Sequence, residues 1–246
     1  MTTIPTISVV IPAYNEAATI AGTLRSLQHQ TVQPLEVIVV DNNSTDETAA
    51  IAESFSFVRV VKETQQGIAY ARNAGFDAAR GDVVARIDAD TLASKRWLET
   101  IQTHFSTHPS TDGLAGALSP REFSWLGARL MSLGFTWFRH WHQRSIGVRP
   151  MMYGCNLALR RSAWHGIRDQ THPNDPRMTE DIEVTVLLQK NNHRIDFNPR
   201  MIVSTHLLGV LSREQMQRYY RNDNYTLGFY RVGNKKRWAS DVAPPR

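Results

Sequence analysis

The chain has 246 residues, 41% hydrophobic and 21% charged, a balance that excludes a disordered or fibrous chain and allows one large or two small globular domains. The formal net charge of +5 suits anionic partners such as nucleotides, nucleic acid or an acidic membrane face without choosing among them. Cys155 is the only cysteine, which excludes an internal disulfide; with no bilayer-length apolar run and no signal-peptide pattern after Met1, a cytoplasmic location is expected.

Ile7-Ser8-Val9-Val10-Ile11 reads as a buried strand ending at Pro12, which cannot donate to a sheet ladder. Asn15 is expected to cap the next helix, with Glu16 in its first turn and Ile20, Leu24 and Leu27 on its apolar stripe. Residues 36–40 form a second strand that stops at Asp41. A polar loop follows, in which Asp46 and Glu47 favour the start of a helix over 49–55. A third strand (58–61), a helix (67–79) and a fourth strand (83–87) complete a β-α-β-α-β-α-β pattern. That pattern predicts a mostly parallel sheet covered by helices on both faces. Ligands of such sheets lie beyond the carboxyl ends of the strands. Tyr14, Asp41 and Asp88 each follow a strand end, so three sites distant in sequence should converge at one sheet edge.

Asp88-Ala89-Asp90 places two hard oxygen ligands side by side, a set that suits Mg or Mn bridging phosphate oxygens. The same short pattern also fits a solvated acidic turn. Neither a G-x-G-x-x-G after the first strand nor a P-loop is present, so dehydrogenase-type and P-loop nucleotide binding are disfavoured.

In the second half, 92–105 reads as a helix with Trp97, Leu98, Ile101 and Phe105 on one side, and 113–118 as a strand. Across 123–142, Phe123, Leu126, Leu130, Leu133, Trp137 and Trp141 recur every three or four residues. This aromatic-rich amphipathic helix fits packing on the domain, on a second subunit, or at a membrane surface over a lipid-linked acceptor. His140 and His142 are two apart and do not share a helix face. Cys155 lies among apolar residues and reads as an inert core thiol. Residues 172–178, with Pro173 and Pro176, read as a mobile loop. Thr179 then caps a helix that begins Glu180-Asp181 and carries Val184, Leu187 and Leu188 on its apolar face. Two short strands, 194–197 and 201–204, flank Pro199, and His206 follows the second. The last helix covers 211–230, and the chain's whole net excess of +5 lies from Arg213 onward. That basic end is either a solvated terminus or a contact for a diphosphate or anionic lipid. No nucleic-acid motif accompanies it.

Four elements together resemble family 2 glycosyltransferases of the GT-A fold. They are Ser8-Val9-Val10-Ile11-Pro12-Ala13-Tyr14-Asn15-Glu16, Val40-Asp41-Asn42-Asn43-Ser44-Thr45-Asp46, Gly67-Ile68-Ala69-Tyr70-Ala71-Arg72-Asn73 and Asp88-Ala89-Asp90. The order and spacing make the set specific, and it covers the first half closely. Gly154, Asn156, Ala158, Arg160 and Arg161 resemble the family's G-x-N-x-A-x-R-R stretch, and Glu180-Asp181 its E-D motif. The resemblance implies an α/β fold with a mostly parallel central sheet flanked by helices. A nucleotide-binding half (1–110) and an acceptor-binding half (111–210) would be followed by a basic helical extension (211–246).

It also implies roles. Pro12, Ala13, Tyr14 and Glu16 would line the nucleotide pocket, Asp41 would bond the base, and Arg72 would lie near the base or phosphates. Asp88 and Ala89 would meet the donor ribose, while Asp90, Asp88 and His206 would hold a Mn or Mg ion. Asp181 would deprotonate the acceptor, supported by Glu180. Gln215-Met216-Gln217-Arg218-Tyr219 approaches the Q-x-x-R-W element of processive synthases but has Tyr for Trp. The expected function is therefore inverting transfer of a single sugar from a UDP- or GDP-linked donor to a carbohydrate or lipid-linked acceptor, in cell-surface glycan or glycolipid synthesis. Peripheral membrane contact would run through 123–142 and 213–237, and no nucleic acid is involved. The alternatives are a polyprenyl-phosphate glycosyltransferase and a nucleotide-binding protein without catalysis.

Overall fold

The structure, a computed structural model, describes residues 4–121, 143, 148, 150–206 and 213–232. The expected helix over 123–142, its histidines and the last part of the basic end, 233–246, fall outside these residues.

The first half alternates strand and helix: β1 (Ile7–Ala13), α1 (Ile20–Gln28), β2 (Glu36–Asp41), α2 (Thr48–Glu53), β3 (Val58–Lys62), α3 (Ile68–Ala78) and β4 (Val83–Ile87). The second half is irregular: β5 (Leu92–Ala93), α4 (Trp97–Thr107), β6 (Gly113–Pro120), β7 (Asn156–Arg160), α5 (Arg161–Ile167), α6 (Glu180–Lys190), β8 (Ile195–Thr205) and α7 (Arg213–Phe229). Among the described residues these strands form one sheet in the order β3-β2-β1-β4-β7-β6-β8-β5.

Alternation along each strand divides the core between the two sheet faces. On β1, Val10 faces a cluster with Ile38, Phe76, Val84 and Trp164, beneath α3, α5 and α6. Val9 and Ile11 face the other cluster with Leu24, Leu27, Val39, Trp97 and Leu98, beneath α1 and α4. All are essentially inaccessible to water, and each such side chain stabilises the fold by about 1.5–3 kcal/mol. Gly75 lets α3 lie close on the sheet. A Cβ there would stand 2.3 Å from Val10 Cγ1 and 2.8 Å from Val40 Cγ2.

The structure corrects several expectations. The sheet is mostly parallel as expected, through β3-β2-β1-β4 and between β6 and β8, but β7 runs antiparallel to both β4 and β6, and β5 antiparallel to β8. It is therefore mixed. β1 continues through Pro12 to Ala13, because its pairing with β4 extends only to Val10. Beyond that point the strand is paired on one side, where a missing N–H is tolerated. Asn15 is not a cap: it has a positive φ of 55°, and its side-chain oxygen accepts the Thr45 N–H at 2.8 Å. The helix begins later, with Thr19 at the N-cap position. The stretch 92–105 divides into β5 and α4, since Leu92 and Ala93 pair with β8. Residues 195–205 make one strand, not two, and a register shift opposite Gly116 and Ala117 absorbs Pro199.

Candidate active site

The carboxyl ends of β1, β2 and β4 meet at one edge of the sheet, as the alternating pattern requires. Pro12 and Ala13 are buried at the end of β1, and Tyr14 projects beyond them, 49% exposed. Asp41 closes β2, and its Oδ1 accepts the Ser44 N–H at 3.2 Å. The Asn42 N–H donates to the Ala13 carbonyl at 2.9 Å, which locks the β1 and β2 ends together. Asn42 also reaches the start of α3, its Oδ1 accepting the Gly67 N–H at 2.8 Å. Asp46 does the work expected at a helix start, accepting the Thr48 N–H at 3.0 Å, and it also accepts the Ala17 N–H at 3.1 Å.

Asp88, Ala89 and Asp90 lie just past β4. Ala89 is buried, and its carbonyl accepts the Thr23 hydroxyl at 2.8 Å. Asp88 and Asp90 are partly exposed, and Asp90 Oδ1 accepts the Thr91 hydroxyl at 3.0 Å. Desolvation raises the proton affinity of Asp88; Glu180 and Asp90 add to this and Arg86 opposes it. Glu16 is raised likewise by desolvation and then by Asp90 and Asp88, so three acids from two strand ends lie within electrostatic reach of one another. Such a set is deficient in positive charge and rich in hard oxygen donors, which fits a divalent cation. Among the described residues no three His, Cys, Asp or Glu side chains stand assembled as ligands, so His206, exposed after β8, does not complete a triad with Asp88 and Asp90.

Arg86 ties Asp88 to the E-D motif. It is an arginine inside an otherwise apolar strand, 2% exposed. Its guanidinium donates to Asp88 Oδ1 at 3.1 Å and, by its other terminal nitrogen, to Glu180 Oε1. Glu180 is itself shared, since its Oε2 lies 3.2 Å from Arg72 Nη1. Arg72 is fully buried. It donates to the Glu180 carbonyl at 2.6 Å and to Asn73 Oδ1 at 2.9 Å, and lies 3.6 Å from Glu183 Oε2. The structure thus places Arg72 beneath the start of α6, anchoring the E-D motif. Glu183 Oε1 accepts the His172 N–H at 2.8 Å and the Tyr230 hydroxyl at 3.0 Å. One chain of charges therefore runs from Asp88 through Arg86, Glu180 and Arg72 to Glu183.

Asp181, next to Glu180 at the start of α6, is half-buried. Its Oδ2 accepts the Gly154 N–H at 3.0 Å. Desolvation, with Glu180 adding to it, pushes its pKa up to about 7, while the Gly154 bond opposes the shift. A Cβ at Gly154 would stand 2.8 Å from Arg86 Nη2 and 2.9 Å from its Cζ, so any larger residue here must displace the guanidinium that Glu180 and Asp88 hold. Cys155 is half-buried and packs against the edge of the second core cluster, close to the expected core thiol. Burial and then Asp88 and Asp181 raise its pKa well above the ordinary range, which keeps it protonated and unreactive.

Sequence reasoning assigned no role to Arg86, Gly154, Arg121 or Asp223. Arg121 is exposed at the end of β6 with Nη1 3.4 Å from the Asp90 carbonyl oxygen. A charge embedded in an apolar strand was a signal for Arg86, since unpaired buried charges are costly. Gly154 was marked only by its place in the G-x-N-x-A-x-R-R stretch, and Arg121 and Asp223 had no local signal.

The profile of "Glycosyl transferase family 2" matches residues 8–167. Glycosyltransferase AglE of Haloferax volcanii is 39% identical over 104 residues, 39% of this chain and 34% of that protein. The glucosyl-dolichyl phosphate glucuronosyltransferase of the same organism is 27% identical over 171 residues, 64% of this chain and 53% of its own length. This chain therefore spans about a third to a half of those relatives. Among solved structures, mannosyltransferase PcManGT of Pyrobaculum calidifontis, in complex with GDP-Man and Mn2+, superposes with a TM-score of 0.67 at 24% identity, over 93% of this chain and 64% of that one. S. aureus TarS 1-349 in complex with UDP-GlcNAc gives 0.66 at 19% identity, over 92% and 65%. The structural likenesses establish the GT-A-type fold, and the profile match, covering more than half of the sequence, establishes membership: the chain belongs to glycosyl transferase family 2, a family of sugar-transferring enzymes.

Proposed function

We propose that the chain transfers a single sugar, with inversion, from a UDP- or GDP-linked donor to an acceptor hydroxyl. The observation that carries this reading is Arg86, a single buried side chain that bonds both Asp88 of the donor-side pair and Glu180 beside Asp181. Donor and acceptor chemistry are thereby held side by side.

Tyr14 and Asp41, at adjoining strand ends, hold the nucleotide, with Pro12 and Ala13 forming the pocket floor and Asp88 directed to the ribose. Asp88 and Asp90 are the residues that would hold Mn or Mg, with His206 the third ligand that the resemblance implies, and an ion bound there would offset negative charge on the diphosphate. Asp181 takes the acceptor proton as the acceptor oxygen bonds to the anomeric carbon and the bond to the diphosphate breaks. A carboxyl titrating at about 7 is suited to that task near neutral pH, since base strength and ionised fraction are then both substantial. Gly154 orients the carboxylate, and Glu180 fixes its helix through Arg72 and Arg86. Glu180 and Asp223 surround Asp181 with negative charge, which favours a neutral hydroxyl over a polyprenyl phosphate as acceptor. One relative carries glucosyl-dolichyl phosphate in its name, which supports a lipid-linked carbohydrate supplying that hydroxyl. No helix among the described residues is long and apolar enough to cross a membrane.

A thermal-shift screen of UDP, GDP, CDP and dTDP, with and without Mn, tests the donor site. One nucleotide should raise the melting temperature in the presence of Mn, and both EDTA and Asp90→Ala should abolish the shift. No shift for any nucleotide would move the non-catalytic reading to the front. Given a donor, unchanged turnover in Asp181→Ala would remove Asp181 from its role.

A further inference from the structure

Thr179 occupies the N-cap position of α6 yet makes no side-chain capping bond. Its hydroxyl donates instead to Asp223 Oδ1 at 2.8 Å, and its N–H donates to Thr226 Oγ1 at 2.8 Å. Both acceptors are on α7. A Thr hydroxyl at this position ordinarily caps its own helix, a bond worth about 1 kcal/mol, so the interaction with α7 replaces it. The first turn of α6, with Asp181 two residues on, is therefore fixed from α7. Among the described residues Asp223 forms no ion pair and only its Oδ1 accepts a hydrogen bond, so its charge is uncompensated there.

We propose that Asp223 is a positioning residue for Asp181: through Thr179 it sets the start of α6, and it holds a second carboxylate beside the base. The inference rests on reading Asp181 as that base. The groups facing Asp181 are Glu180 on its own helix, Arg86 from β4, the Gly154 N–H and Cys155 ahead of β7, and Asp223 from α7. Arg86 is already engaged by Glu180 and Asp88. Burial raises Asp223 to about 6, so it is mostly ionised at the Asp181 midpoint of about 7.

Asp223→Asn keeps an acceptor oxygen for Thr179 and removes only the charge. Carbon-13 NMR of the side-chain carboxyls in the full chain, with Asp181 assigned through Asp181→Asn, follows the base directly and requires no substrate. The midpoint of Asp181, about 7 in the parent chain, should fall by about half a pH unit or more in Asp223→Asn. The melting temperature should stay within about 2 °C. An unmoved midpoint in a folded Asp223→Asn chain overturns the proposal. Should asparagine disturb the fold, Asp223→Ser, smaller and still an acceptor, carries the same expectation and the same refutation. The acid limb of kcat/KM for the UDP- or GDP-sugar that turns over should move down with the midpoint. A lowered midpoint in a chain that turns over no donor would uphold the coupling and refute the enzymatic reading alone.

Discussion

Replacing Glu180 with alanine tests whether the buried charge chain stabilises the fold as its geometry implies. Glu180 is the shared partner of two buried guanidiniums, at 3.2 Å from Arg72 Nη1 and in closer contact with Arg86 Nη1. The Arg72 side chain is wholly inaccessible and that of Arg86 is 2% exposed, so water cannot take the place of the lost carboxylate. Arg72 would keep the backbone carbonyl of residue 180 and Asn73 Oδ1 as acceptors but only Glu183, at 3.6 Å, as a carboxylate partner, and Arg86 would keep only Asp88 at 3.1 Å. Removing one partner from a buried pair costs about 3–5 kcal/mol, because it strands the remaining charge. For a chain of this size about 2–4 °C of melting temperature accompanies each kcal/mol, which gives a fall of about 6–20 °C. Glu180→Gln, which keeps an acceptor oxygen, should fall between the parent and alanine. Urea unfolding monitored by circular dichroism, together with calorimetric melting, measures both variants. A loss in Glu180→Ala below about 1 kcal/mol, the range of exposed pairs, would refute the reasoning, because Glu180 would then be behaving as a solvated residue.

Gly154→Ala should lower kcat/KM at least about tenfold while costing about 1–3 kcal/mol of stability, because its Cβ meets the Arg86 guanidinium that joins the two halves of the site; steady-state kinetics alongside urea unfolding would separate the two effects. Gly75→Ala should destabilise by about 1–3 kcal/mol, against the gain of about 1 kcal/mol usual for alanine over glycine inside a helix, because the new methyl strikes Val10 and Val40; a urea midpoint at or above the parent's would contradict the close helix–sheet contact. The pKa of Asp181 is raised on folding from 3.8 to about 7, so the folded state holds its proton more tightly than the unfolded chain does. Its contribution to stability is therefore complete below about pH 4 and is lost as pH rises through about 7. Asp181→Asn should flatten the decline in melting temperature over that window and be the more stable protein at pH 8, while the parent's transfer rate rises over the same window as the base ionises; a parallel pair of stability–pH curves would contradict the assignment.

The alternation of short apolar runs with helical stripes determined the first half almost by itself. A strand such as Glu36–Asp41 is buried on both faces and must read as continuous Val and Ile, and a helix covering it must carry a stripe such as Ile20, Leu24 and Leu27, so each element shows in its own residues. The strand-end residues Tyr14, Asp41 and Asp88 were legible for the same reason, since parallel topology alone brings those ends together. In the second half, short strands pair with partners far along the chain. Leu92 and Ala93 are a strand only because Val203 and Ser204 lie beside them, and Asn15 turns rather than caps because Ser44 and Thr45 come to meet it. The electrostatics of the site were out of reach for a related reason. Whether Glu180 is a helix-start acid or the bridge between two buried arginines depends on Arg72 and Arg86, 108 and 94 residues away. Local propensity and periodicity are properties of neighbouring residues and can be read from the sequence. The burial of a charge and the identity of its partner are properties of the packed interior, and only the tertiary structure decided them.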